Sequence, residues 1–230
     1  TPNGSGTTEV LSDLNVFGDI YTPGNITFDG TITFGDATAD TVGATDALGA
    51  LSITGNLDLN AAVTSATSIS VSGASNLGAN ITTSSTQTYS GVVTLSTNVI
   101  LTTTNSNVTF NDKVISDSAT NRNLTIDTNG NTGTVVFGNG TTDTVGVTNG
   151  YDLGVIDITG NLDLNAAIGN GATAGATSIE VSGISNLGAD VTTSSTQTYT
   201  GAVTLSGGDR TLQGSTINFG NTLTGTASHD

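Results

Sequence analysis

"SSTQTYSGVVTLS", residues 84–96, returns as "SSTQTYTGAVTLS" at residues 194–206. Inside each copy, apolar and small polar residues alternate, as in Val93-Thr94-Leu95 and Val203-Thr204-Leu205. A period of two is that of a strand with one face buried. The same rhythm continues outward in "NVTF" (107–110), "NLTID" (123–127) and "GTVVFG" (133–138), and the spacing predicts a short strand every 11–16 residues. Gly, Asn, Ser and Thr fill the gaps as turn formers, and no helical period of useful length intervenes.

The duplication is larger than the quoted stretch. Residues 66–96 match 176–206 at 25 of 31 positions, and "TGNLDLNAA" at 54–62 is identical to 159–167. "TITFGDATADTVG" (31–43) pairs with "TVVFGNGTTDTVG" (134–146), and "VLSD" (10–13) with "VISD" (114–117). Small-residue insertions such as "IGNGATAGATS" (168–178) make the offset drift and read as bulging turns. The chain therefore divides into a lead at 1–9, one repeat at 10–113, a second at 114–220 and the start of a further coil or a tail at 221–230. Each repeat is slightly over 100 residues long.

Two architectures suit such strands: a parallel β-solenoid and two tandem antiparallel β-sandwich domains. The all-β solenoid is the expected fold. Its strands are short, Asn and Thr recur at turn positions where they can stack coil on coil, and a 4% aromatic content suits a narrow core of Val, Ile, Leu and Ala. If a coil takes roughly 20 residues, as the family resemblance described below implies, the chain would make about ten or eleven coils and a rod on the order of 50 Å. Ile53, Leu57, Leu59, Ile69, Val71, Val93, Leu95, Val108 and Phe110 are expected inside. So are their counterparts Ile158, Leu162, Leu164, Ile179, Val181, Val203, Leu205, Ile217 and Phe219. Asp58, Asp163, Ser70 and Glu180 are expected outside.

Composition bounds the chemistry. Nineteen acidic residues face three basic ones, Lys113, Arg122 and Arg210, for a net charge of −16. Phosphate contacts need clustered Lys and Arg, so nucleic acid is not an expected partner. Anionic membranes are equally unsuitable, and no apolar run is long enough to cross a bilayer. Without cysteine there is no disulfide or thiol chemistry. The single histidine, His229, stands next to the end, which leaves no basis for a His-dependent triad or a His-rich metal site. Asp58 and Asp163 are repeat-equivalent carboxylates on strands and read as polar outer positions rather than a glycosidase pair. No enzymatic activity is expected, and no cofactor beyond a calcium ion.

Calcium has one candidate locus. "FGDATADT" (34–41) places Asp36 and Asp40 on one Gly-containing turn, and "FGNGTTDT" (137–144) keeps Asp143 but carries Asn139 in place of Asp36. Carboxylate and turn carbonyl oxygens suit calcium. The same residues also make Asx-turns at a coil corner, and no recognised calcium-loop spacing is present. The sequons at Asn3, Asn25, Asn80, Asn107, Asn123 and Asn139 are expected by chance in Asn/Thr-rich sequence. Thr31/Thr33, Thr86/Thr88 and Thr102/Thr104 are too irregularly spaced to predict a flat ice-matching face.

"NLGADVTTSSTQTYTGAVTLSGGDRTLQGSTINFG" (186–220) and "IDITGNLDLNAA" (156–167) resemble repeats of giant secreted bacterial proteins of the filamentous-haemagglutinin and autotransporter type. "TPGNITFDGTITFGDATADT" (22–41) more weakly resembles strand-rich parts of phage tail fibres. The resemblance implies a right-handed parallel β-helix at the bacterial cell surface or outside the cell. It also implies a structural role in a fibre or adhesin. The stretch at 215–230 shows no evident cap, and the repeat's end phase meets its own start phase, so a continuing chain or a head-to-tail copy of itself is the expected partner. The alternative is a module binding host glycan or a receptor. That reading needs aromatic platforms, for which Tyr21, Tyr89, Tyr151 and Tyr199 are the candidates. Tyr89 and Tyr199, equivalent within "TQTY", are expected to pack rather than to bind sugar.

Overall fold

The computed structural model describes residues 8–10, 14–16, 20, 24–36, 40–117, 120–130, 132–140, 142–146 and 151–226. Tyr21, His229 and Asn3 lie outside them. The chain is an all-β parallel solenoid, and the described residues contain no helix. It visits three ladders in rotation, and its strand pairs are parallel throughout, which excludes tandem antiparallel sandwiches. The first ladder includes Gln87–Tyr89, Val108–Phe110, Thr134–Phe137 and Asn161–Leu164. The second stacks ten strands, from Leu14–Val16 through Val93–Leu95 to Leu212–Gln213. The third runs through Ile81–Thr83, Val99–Thr102, Arg122–Asp127 and Leu153–Thr159 to Thr216–Phe219. Ala62–Val71 turns a corner and serves the third ladder with its first half and the first ladder with its second.

Why the alternating segments become strands is visible in their burial. Residues two apart point inward, and the one between points out. Leu57 and Leu59 are at most 2% exposed around a half-buried Asp58, and Val93 and Leu95 are sealed around Thr94. Removing a Leu or Phe side chain from water contributes about 1.5–3 kcal/mol. Most strand N–H and C=O groups pair with the coils above and below, and asparagine side chains accept several of the remaining N–H groups.

All nine inward positions of the first copy are buried, as are six of their nine counterparts. The other three differ. Leu205 and Ile217 are only partly buried, and Phe219 is 37% exposed. Ile217 and Phe219 lie on a strand with no described strand beyond it, and Leu205 is covered only by Gly225, which brings no side chain. Ser70 and Glu180 are exposed, as expected.

The coils are also fewer and less even than a uniform twenty residues would give. Along the second ladder, one step up the stack takes 18 residues from Leu57 to Ser75 but 31 from Val114 to Val145. The surplus bulges mostly at corners, where a loop costs little entropy, and the register shifts between Ile81 and Thr83 and between Arg122 and Leu124. Ten strands at about 4.8 Å spacing make a rod about 45 Å tall. Where the backbone itself closes in, glycine is required. Gly35 and Gly138 end the repeated Thr-Phe-Gly and Val-Phe-Gly segments with φ of 76° and 80°. A Cβ on them would lie 2.6 and 2.5 Å from the Cβ atoms of Ala61 and Ala166 on the next coil.

The two sequence copies are not superposed face on face. Leu57–Leu59 belongs to the second ladder, whereas its counterpart in Asn161–Leu164 belongs to the first. Gln87–Tyr89 belongs to the first, but Thr196–Tyr199 belongs to the third. From Ile32–Phe34 to Thr134–Phe137 the chain takes fourteen strand steps, with Ala62–Val71 serving two ladders. Fourteen is not a multiple of three, so each repeated segment lands one face away from its twin.

Candidate functional site

The repeated "TQTY" builds the most polar point of the interior. Gln87 and Tyr89 are two apart on one strand and therefore both point inward, fully buried. The Gln87 Nε2 donates to the Thr102 carbonyl at 3.0 Å, the Ile81 carbonyl at 3.3 Å and the Thr83 hydroxyl at 3.3 Å. The Tyr89 hydroxyl donates to Gln87 Oε1 at 3.1 Å. The second copy repeats the knot: Gln197 Nε2 donates to the Gln213 and Val191 carbonyls at 2.8 and 3.1 Å, and Tyr199 donates to Gln197 Oε1 at 3.2 Å. Buried amides and hydroxyls are tolerated only when satisfied in this way. Both tyrosines are sealed from solvent and cannot serve as sugar platforms. Tyr151 is 37% exposed. The role of the glutamines was readable from parity alone, since a residue two before an inward Tyr also points inward.

Burial pushes both phenols up from the ordinary 10.0. Below pH about 10, folded and unfolded chains both hold these protons, and stability is indifferent to pH on their account. Above it the unfolded chain loses them first, binds fewer protons than the folded one, and unfolding becomes easier. The urea midpoint should hold from about pH 7 to 9 and fall beyond about 10. The double variant Tyr89→Phe, Tyr199→Phe should show a shallower fall. An alkaline slope identical to wild type would mean these phenols do not carry it.

Outside, each copy carries a comb of side chains bonded across coils. Asn76 Nδ2 donates to Asp58 Oδ1 at 2.8 Å, and Asn186 Nδ2 to Asp163 Oδ1 at 2.8 Å. Asn60 and Asn165 donate to the other carboxylate oxygen at 3.4 and 3.2 Å, and the Ser206 hydroxyl donates to Asn186 Oδ1 at 2.7 Å. The two aspartates point outward as expected, but they are tied into these combs rather than simply solvated. They stand on different faces and do not form a pair across a cleft.

A trough of about 460 Å³ runs beside the second comb, lined by Thr134, Asn161, Asp163, Ile184, Asn186 and Thr204 among others. Ile184 projects from it, 60% exposed, where the first copy has Ala74. At the corners, asparagine carboxamides reach to the next coil. The side-chain oxygens of Asn25, Asn80, Asn107 and Asn123 accept the N–H groups of Ala50, Ile100, Thr134 and Val155 at 2.8–2.9 Å. Four of the six sequons therefore coincide with inter-coil ties.

The calcium candidates close their own loops. Asp40 Oδ2 accepts the Asp36 N–H at 3.1 Å. Asp143 Oδ2 accepts those of Asn139 and Gly140 at 3.0 and 3.1 Å. The bond from the Asp36 N–H in the first copy thus recurs as the bond from the Asn139 N–H in the second. Among the described residues no three acidic or histidine side chains gather as a metal site. The exposed Asp117–Arg122 pair, at 3.0 Å, ties one corner and contributes little to stability.

The C-terminal end differs from the rest of the surface. Thr216–Phe219 and Leu223–Gly225 have described partners only on the side of the preceding coil. Phe219 stacks on Tyr199 at 5.7 Å and has no ring above it, and Leu223 is 47% exposed. Comparison of the chain with protein-family models, curated proteins and solved structures finds no match.

Proposed function

We propose that the chain is a structural β-solenoid. It would serve as a segment, or a head-to-tail stacking subunit, of a fibre or adhesin at the bacterial surface or in its extracellular matrix. The observation that carries this reading is the uncovered last coil. Among the described residues its strands pair on one side only, and Phe219 and Leu223 continue columns that are buried through most of the rod. Such an edge is completed by another coil of the same geometry, supplied by continuing chain or by a second copy.

A second copy would meet apolar ends in the second and third ladders, whereas in the first ladder Leu223–Gly225 already stands one strand beyond and would have to give way to the incoming Thr8–Val10. Leu14 opens the apolar column of the second ladder that Leu212 closes, and Ile20 opens the column of the third ladder that ends at Phe219. The contact joins two different surfaces, so it propagates as a filament rather than closing into a ring. The resemblance to secreted fibre repeats supports the extracellular setting. Burial of Tyr89 and Tyr199 leaves the glycan-module reading without its repeat-equivalent platforms.

Sedimentation and electron microscopy of the full chain test this. Rods should lengthen with concentration in multiples of about 45 Å, and Phe219→Asp with Leu223→Asp should hold them at unit length. Wild-type rods of unit length at every concentration, indistinguishable from the variant, would sink the stacking subunit.

A further inference from the structure

We infer that Asn129 is a site of spontaneous covalent modification: it cyclises onto Gly130 and deamidates, ahead of the other Asn-Gly pairs in the described fold. Three such pairs are described, Asn129-Gly130, Asn139-Gly140 and Asn170-Gly171. Glycine on the C-terminal side leaves the backbone nitrogen open to the neighbouring side chain, since no Cβ shields it. The three pairs share this chemistry and differ in what holds their atoms.

In the reaction, the Gly130 amide nitrogen gives up its proton to water or hydroxide and attacks Cγ of Asn129. The new Cγ–N bond closes a five-membered imide. The Cγ–Nδ2 bond breaks, and Nδ2 takes up a proton and leaves as ammonia. Water then opens the ring at one of its two carbonyls, giving aspartate or isoaspartate. No redox partner is needed, and the product carries one more negative charge.

Asn129 is exposed, and among the described residues neither its carboxamide nor the Gly130 N–H has a hydrogen-bond partner. Its own N–H is held by Asp127 Oδ1 at 2.7 Å, which fixes the turn without engaging a reacting atom. Asn139 is held differently. The Gly140 N–H, which must be lost, donates to Asp143 Oδ2 at 3.1 Å. That adjacent carboxylate also opposes formation of an amide anion. At Asn170, the Gly171 N–H donates to the Thr192 hydroxyl at 3.2 Å. The Asn170 Oδ1 meanwhile accepts the Ala172 and Thr173 N–H groups at 3.1 and 2.7 Å, which ties down the electrophilic carboxamide. Breaking a hydrogen bond to a charged acceptor before reaction slows Asn139 by about tenfold relative to Asn129.

Peptide mapping of the folded full chain, aged in mildly alkaline buffer, reads all three sites at once. Conversion at Asn129 should lead by about tenfold. In urea, where the ties are gone, the three rates should converge. Asp143→Ala, checked for retained strand signal by circular dichroism, should bring Asn139 towards the rate of Asn129. Asn139 or Asn170 converting as fast as Asn129 in the folded protein would overturn the inference. So would an inert Asn129 in a chain whose unfolded form converts. If Asp143→Ala does not fold, the wild-type ranking against its urea control still decides.

Discussion

Phe110→Ala is expected to cost the chain about 3–5 kcal/mol, whereas Phe219→Ala, the same change at the equivalent position of the second copy, should cost about 1–2 kcal/mol. Phe110 is sandwiched between Tyr89 at 5.4 Å and Phe137 at 5.2 Å, nearly parallel to both rings, and is 0% exposed. Truncation there removes two stacked contacts and leaves a hole that neighbouring coils, pinned by their ladders, cannot close. Phe219 has a ring on one side only and is already partly hydrated. Urea denaturation followed by circular dichroism, on dilute protein so that association does not contribute, reads the difference. Equal losses at the two positions would mean the last coil is covered in solution. A solenoid is held coil by coil, so Phe110→Ala should also broaden the transition by weakening one internal interface.

Gln87→Leu should destabilise by about 3–5 kcal/mol although it exchanges a polar core residue for an apolar one of similar size. Leucine fills the volume but leaves the Tyr89 hydroxyl without its acceptor and removes the donor that serves the Thr102 and Ile81 carbonyls. Each stranded group costs about 1–3 kcal/mol. Adding Tyr89→Phe should recover part of the loss, because the hydroxyl then no longer needs a partner. A double-mutant cycle in stability measures that recovery. If Gln87→Leu were neutral, or if Tyr89→Phe failed to offset it, the knot would not hold the coil as described.

What the sequence made legible follows from parity. Val93-Thr94-Leu95 and Leu57-Asp58-Leu59 announce which side chains point inward, because a strand alternates sides without reference to its neighbours. Burial is a different quantity, contributed by the coil above. Ile217 and Phe219 carry the right parity but have no described strand beyond them, and Leu205 meets only Gly225. The number of coils depends on how far each corner bulges, and the long step from Val114 to Val145 is composed of residues no different in kind from those in the short steps. The outer combs were half visible. Asp58 and Asp163 stood out as repeated acids, but their bonds to Asn76 and Asn186 depend on the pairing register between coils, which no local pattern encodes. The Asp40 and Asp143 turns were legible as Asx-type corners, and the structure spends one carboxylate oxygen of each on backbone N–H groups.

The fourteen-step repeat bears on valency. Twin combs on one face would offer a flat partner two identical footholds and the avidity that comes with holding both. Here the comb of Asp58 and the comb of Asp163 look out from adjacent faces. A planar surface that grips one cannot reach the other. A partner gains from both only by curling around the rod, and separate partners approaching from different sides can each take one without crowding. Duplicating the segment thus multiplied directions of approach rather than strength of grip.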